Sequence, residues 1–518
     1  MRDFALVQDS LQGLQDLAGV DCLSYLKPFL DTIVSERASG PITGTALASV
    51  NKFLLYGFLR PDVPRAREAI VAVAAAATRC KFESSSVRED ETTLMQILEV
   101  LRNCIRCPAG TLLTDESVWD MCGSAYRISR FEDASHLLHR SAESTLAHLV
   151  LTIFSRVPEI ADEVEDRLEA AGEGGSDPGA GGASGSAASA PEGGDQGRSL
   201  VPAAPAPHPA KGDAGTWKAI ELGAGPDRLA PYGEKALVKL LSWLSSLTEP
   251  ATQPAHTRVL GLRLVNMVLE SAGADMGRLP SLVRVATAEL CRNLVQNSRT
   301  TEPAVLALTF RVVYSLFASL TQHLKVPLEV FFVSVHLSLV DSRDAPPENR
   351  ELALEALLEF ARDGELMADI FVNYDCSVRS TNLFEIFTGT LARNAVPSSG
   401  ERLNSLHVLA LEGVLAVLES LARRCELAAR AGVAGALDTT TGDGPDAVPD
   451  DSPMAAAASW ADSSDPRVEA LRRRRQLKRR FALAAARFNA CDGKHDEGDA
   501  GWLRYATQLG VLPVPEVA

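Results

Sequence analysis

The stretch Leu94-Met95-Gln96-Ile97-Leu98-Glu99-Val100-Leu101-Arg102-Asn103-Cys104-Ile105 decides the fold class. Its apolar residues Leu94, Ile97, Leu98, Leu101 and Ile105 fall at i, i+3, i+4, i+7 and i+11. That spacing lines one face of a helix and no face of a strand. Further along, Leu138, Ala142, Leu146, Leu149 and Ile153 repeat the pattern. Pro41, Pro61, Pro64 and Pro108 punctuate the apolar runs and mark turns between helices. Thr114, followed by Glu116 and Ser117, has the composition of a helix start with Thr114 as its cap.

The theme resumes beyond residue 230. Helices are expected at 235–247, 258–270, 305–320, 351–360 and 406–421. The last carries Leu406, Val408, Leu409, Leu411, Val414, Leu415, Val417 and Leu418. A helix apolar nearly all round is expected to be buried on several sides. No segment alternates strictly between apolar and polar residues with hairpin turns, so no sheet is expected. The expected fold is all-α, an irregular α-solenoid with armadillo- or HEAT-like helix stacking, since no clean repeat recurs at their period. It is divided into two helical domains joined by a disordered linker.

The chain of 518 residues exceeds what one hydrophobic core serves. Hydrophobic residues make up 46% and aromatics 6%, a mix that favours helix on helix over a β-sandwich. Residues 171–230 are rich in Gly, Ala, Ser and Pro, and 432–465 have the same character with more Asp. Neither can bury enough apolar surface to offset chain entropy, so both are expected to be linkers. The expected domains are thus 1–170 and 231–431, with a third region, 466–518, that opens with a basic helix.

The net charge of −16 argues against a nucleic-acid partner, which needs a basic face. Nine scattered cysteines fit a reducing compartment. The N-terminus has no signal-peptide pattern, and no run approaches roughly 20 uninterrupted apolar residues. The richest candidate, 326–340, is broken by Pro327, Glu329 and His336. The expectation is a cytoplasmic protein with at most peripheral membrane contact.

Enzymatic signatures are missing. There is no G-x-x-x-x-G-K-S/T, no H-E-x-x-H and no G-x-S-x-G. Cys104 and Cys107 form a C-x-x-C without a second pair to complete a zinc site. His136 and His139 lie one turn apart, with His148 beyond, but no further ligand is placed beside them. No catalytic residue, cofactor or metal is expected. The strongest charge cluster is Arg472, Arg473, Arg474, Arg475, Lys478, Arg479 and Arg480. It reads as a solvated helix face, as a patch for an anionic membrane or, more weakly, as a nuclear-import or nucleic-acid contact. Nothing aromatic interleaves the arginines to stack bases.

Several stretches resemble a known family. Pro28-Phe29-Leu30-Asp31-Thr32-Ile33, Ser39-Gly40-Pro41-Ile42-Thr43-Gly44, Ser49-Val50-Asn51-Lys52-Phe53-Leu54 and Phe154-Ser155-Arg156-Val157-Pro158-Glu159 are similar to the dimerisation and cyclophilin-binding domain of large Arf guanine-nucleotide exchange factors. Asn373-Tyr374-Asp375-Cys376, followed by Asn382-Leu383-Phe384-Glu385, resembles the box of their domain called homology upstream of Sec-seven. Ser377 stands where that box continues with an acidic residue. Phe488-Asn489 and the region around Leu503, Tyr505 and Gly510 look like the start of the catalytic Sec-seven domain, and no stretch matches its glutamate-bearing loop.

The resemblance implies a regulatory and scaffolding region in Golgi vesicle trafficking that performs no exchange by itself. It implies self-association through residues 1–170, Arf-family or Rab-family GTPase partners and peripheral contact with anionic Golgi membrane. The interaction box would be Asn373, Tyr374, Asp375, Cys376, Asn382 and Glu385. A generic helical-repeat adaptor of trafficking is the alternative.

Overall fold

A computed structural model of the chain describes residues 2–12, 19–82, 87–132, 134–173, 230–320, 322–342, 344–397, 402–438 and 466–490. Most of the expected linker, residues 439–465 of the second linker, and 491–518 with the Sec-seven-like start lie outside the described residues. The regular elements among the described residues are all helices, joined by turns and short loops, with no strand among them. Packing divides the chain into two compact units, Met1–Leu294 and Val295–Ala518.

The first unit begins with α1 (Arg2–Leu11), α2 (Cys22–Val34), α3 (Gly40–Leu55), α4 (Ala66–Thr78) and α5 (Val87–Arg106). Helices α6 (Asp115–Ser129), α7 (His136–Phe154) and α8 (Val157–Glu173) follow. The stripes read from sequence become the core. Ile97, Leu98, Leu101 and Ile105 of α5 are buried, as are Leu138, Ala142, Leu146, Leu149 and Ile153 of α7. Helix α5 packs on α3 and α7, and a buried Asn103–Asn51 hydrogen bond of 2.7 Å pins α5 to α3. Thr114 caps α6, its hydroxyl accepting from Ser117 N at 3.2 Å, which satisfies one of the amides a helix start leaves open.

Three further helices join this unit from the far side of the linker: α9 (Glu234–Leu247), α10 (Ala255–Met276) and the first part of α11 (Pro280–Val285, a π-helical turn Ala286–Leu290, then Cys291–Asn297). Tyr232 N donates to Leu113 O at 2.7 Å, and Gly233 N donates to Asp115 Oδ1 at 3.0 Å. Trp243 packs edge-on against Trp119 and Tyr126, and Arg278 binds Glu165 at 2.7 Å. A division by composition separates residues 1–170 from 231–431. Packing instead sets 231–294 with the first region.

The second unit comprises α12 (Pro303–Leu320) and α13 (Lys325–Phe331, a π-helical turn Phe332–Leu337, then Ser338–Asp341). Next come α14 (Pro347–Arg362), α15 (Gly364–Ile370, continuing as a π-helical turn Phe371–Asp375) and α16 (Leu383–Ala395). It ends with α17 (Ser405–Asp438) and α18 (Pro466–Ala490). Phe317, Phe332, Phe360 and Phe387 form the core, with Phe332 edge-on to Phe317 and Phe360 at centroid distances of 5.5 and 5.2 Å.

Two expectations need correction. Helix α17 runs to Asp438, past the boundary expected at residue 431, with Gly432 and Gly435 inside it. It is also buried on one side only, against α14, α15 and α16, while Val408, Leu411, Leu415 and Leu418 are exposed. By length and composition alone, 303–320 and 405–427 are long and apolar enough to cross a membrane, and neither was the stretch singled out from sequence. The first is a core helix, with Phe310, Val313 and Phe317 buried.

Candidate functional site: the box and the basic helix

The box is a π-helical turn at the end of α15. Cys376 N donates to Phe371 O at 3.1 Å, five residues back, so the helix widens there before the chain turns. Such turns insert one residue into the helical ladder and recur at functional sites. The widening points Tyr374, Asp375 and Cys376 into the protein, where all three are buried. Asn373 is half-buried beside them.

Each buried group has a definite task. The Tyr374 hydroxyl donates to Lys325 O at 3.1 Å at the start of α13, and the Lys325 ammonium lies 5.5 Å from its ring centre. Burial pushes the phenol pKa up, so the hydroxyl stays a donor. The Asp375 carboxylate caps α16, accepting from Phe384 N at 2.8 Å and Glu385 N at 3.2 Å. Asp375 thus reaches nine and ten residues along the chain, because the turn folds α16 back over it. Burial raises the Asp375 pKa, and the two amides and the cations of Lys478 and Arg475 pull it down. Burial likewise raises the Cys376 thiol, which is no nucleophile in this setting.

Asn382 precedes α16 but leaves the cap to Asp375. Its Nδ2 donates to Glu385 Oε2 at 2.9 Å, and its Oδ1 is buried without a hydrogen-bond partner. Glu329 of α13 closes the loop by accepting from Thr381 N at 2.7 Å.

The basic run lies on α18, and the second unit brings part of it to the box. Lys478 Nζ donates to Tyr374 O at 2.8 Å and lies 3.4 Å from Asp375 O. Arg475 stacks over Phe371, 5.0 Å from the ring centre. Both cations thus meet the carboxyl end of a helix, where unpaired carbonyls favour positive charge. Burial lowers the Lys478 pKa, and Asp375 and Glu329 oppose that. Arg472, Arg473, Arg474, Arg479 and Arg480 remain exposed. Sequence analysis named the box and the run separately. It gave no sign that they meet, nor that Lys325 and Glu329 belong to the same site, since nothing distinguishes Lys478 from the six other cations until α18 is docked.

The remaining sequence candidates do not assemble into a chemical centre. Cys104 and Cys107 are buried, with Cys107 Sγ donating to Cys104 O at 3.2 Å and both thiols pushed up by burial. His139 Nδ1 lies 3.0 Å from Ser129 O. Among the described residues, no group of three or more His, Cys, Asp or Glu is placed to hold a metal.

Residues 235–383 match the family model described as the Mon2/Sec7/BIG1-like HUS domain, which takes in the box through Asn382 and stops short of α18. Over 516 residues the chain is 28% identical to the Golgi-specific brefeldin A-resistance guanine nucleotide exchange factor 1 homolog of Caenorhabditis elegans, covering 82% of this chain and 26% of that one. It is 29% identical to the ARF guanine-nucleotide exchange factor GNOM of Arabidopsis thaliana, covering 90% and 33%. It is 23% identical to ARF guanine-nucleotide exchange factor 2 of Saccharomyces cerevisiae, covering 79% and 31%. The chain therefore spans about a third or less of the length of these relatives. An engineered protein of solved structure aligns at 11% identity with a TM-score of 0.25, covering 93% of this chain and 98% of that one, too distant to bear on the fold.

Among the described residues the elements are all helical, and residues 235–383 carry the likeness to the HUS domain. The chain is similar to the large Arf guanine-nucleotide exchange factors, among them GNOM and the Golgi brefeldin A-resistance factor homolog.

Proposed function

We propose that this chain is the regulatory region of an Arf guanine-nucleotide exchange factor, and that α18 couples the box to the segment that follows it. The observation that supports this reading is the seating of Lys478 on the box carbonyls with Arg475 over Phe371. A rearrangement of the π-helical turn would move the carbonyls that hold Lys478, and so free or reorient α18. The box is a positioning element and contacts no nucleotide. Four of the five exposed cations of the run, Arg472, Arg473, Arg479 and Arg480, fall within about 120° of the helix circumference at about 100° per residue, with Arg474 outside that sector. That arrangement suits an anionic Golgi surface, where each basic side chain contributes about 1 kcal/mol. Self-association through residues 1–170 and recruitment by Arf- or Rab-family GTPases complete the proposal.

Nucleotide release from an Arf-family GTPase on phosphatidylserine-containing vesicles tests it. The chain alone is expected to leave the intrinsic rate unchanged, and a longer protein containing it and the exchange domain is expected to accelerate release. Lys478→Ala with Arg475→Ala in that longer protein should alter the accelerated rate severalfold. Acceleration by the chain alone, or an unaltered rate in the double variant, contradicts the reading.

A further inference from the structure

Helix α17 carries a second surface that the box does not use. Val408, Leu411, Leu415 and Leu418 are 50%, 49%, 56% and 61% exposed, on a helix whose opposite side is packed. Their spacing is 3-4-3, and Ala422 and Cys425 extend it in the same rhythm, both exposed. Over five helical turns, about 27 Å, this is the a/d seam of a two-helix contact. A solvated helix has no use for such a row, and a solitary core helix has its apolar residues covered.

The row beside the seam states what kind of helix fits. Glu412, Glu419 and Glu426 recur every seven residues, each one position after a d residue of the seam. A groove of about 1050 Å³ adjoins them, between α14, α15 and α17, and it adds Glu359, Asp363 and Glu365. Arg362 pairs with Glu412 at 2.8 Å, and Arg424 lies 3.9 Å from Glu365. Glu419 and Glu426 face no cation within ion-pair distance among the described residues. The groove lining as a whole carries five carboxylates against three guanidinium groups.

Charge decides among the occupants. An anionic membrane would be repelled by the carboxylate row. A second copy of this helix laid antiparallel would set glutamate row against glutamate row. Laid parallel, it would set Glu419 and Glu426 against Val414 and Leu421, giving them no cation. We infer that the α17 seam is a docking site for an amphipathic helix of another protein, with apolar residues at 3-4 spacing and Lys or Arg along the edge that faces Glu412, Glu419 and Glu426. This goes beyond the exchange-factor reading and does not depend on it.

Two synthetic helical peptides test the inference against the full chain. Both carry leucine at the a and d positions, one with lysine and the other with glutamate along the flank, and binding is read by fluorescence anisotropy. The lysine peptide is expected to bind at least about tenfold more tightly, with affinity falling as salt rises. The exposed pair Leu415→Ser with Leu418→Ser should abolish that binding without changing the circular-dichroism melt. Glu412→Lys with Glu419→Lys should transfer the preference to the glutamate peptide. Absent binding, equal binding of both peptides, or binding that survives Leu415→Ser with Leu418→Ser overturns the inference. So does light scattering in which that pair converts an assembled chain to a smaller one, for then a second copy covers the seam.

Discussion

At the scale of single residues, the least expected side chain is His336. It is fully buried in the π-helical turn of α13 among Phe310, Phe331, Phe332 and Phe360, and neither ring nitrogen has a hydrogen-bond partner. Burial pushes its pKa down to about 3. The folded state thus refuses a proton that the unfolded chain accepts near pH 6.5, and stability is lost as pH falls below that value. The loss between about pH 7.5 and about pH 5 amounts to about 2 kcal/mol. His336→Leu, which fits the apolar surroundings, should remove this dependence. Urea denaturation at the two pH values is expected to show a fall about 2 kcal/mol larger for the parent than for the variant. Equal falls would mean that the imidazole gains a partner on protonation. The π-helical turn at the box also buries an ionisable group, but there two amides donate to the Asp375 carboxylate and partly oppose the burial that raises its pKa.

Among the elements, α17 is the organiser of the second unit. Its inner side meets α14, α15 and α16, and it passes directly over Gly364, the first residue of α15. A Cβ there would lie 2.8 Å from the Ser420 carbonyl oxygen, and Ser420 Oγ also donates to Ala361 O at 2.9 Å. Backbone cannot retreat as a flexible side chain can, so Gly364→Val should force α15 away from α17. A loss of about 1–3 kcal/mol is expected in chemical denaturation. Hydrogen exchange should rise in 364–375 and, through the box, in 466–486. Protection unchanged in the second segment would mean that α18 does not depend on the position of α15.

For the whole molecule, the informative feature is that the first unit is assembled from both sides of the linker. Helices α9 and α10 cover α6, α7 and α8 through Trp243, Tyr232 and Arg278. A protease site placed between Ser199 and Leu200 should therefore leave the two fragments associated on size-exclusion chromatography after cleavage. Trp243→Ala with Arg278→Ala should weaken that association by removing the edge-on aromatic contacts and the Glu165 pair. Separation of the cleaved parent protein would contradict the packing described. For the same reason, self-association is better measured on the whole chain than on residues 1–170, whose α6–α8 surface is bare once α9 and α10 are removed.

The helices, their caps and their buried stripes were legible in the sequence because 3.6-residue periodicity is a local property that survives without tertiary information. The stripes on α5 and α7 and the Thr114 cap were read directly from it. The box was legible as a motif, since four adjacent residues carry it. The structure alone decided that Asp375 caps a helix nine residues away, that Lys478 among seven similar cations holds the box, and that half of α17 stays uncovered. Each of these depends on which surfaces meet in space. Apolar periodicity says that a face wants a partner, and a run of cations says that it wants an anion or a carbonyl. Neither says which one it finds, because that choice is made by residues far away in the chain.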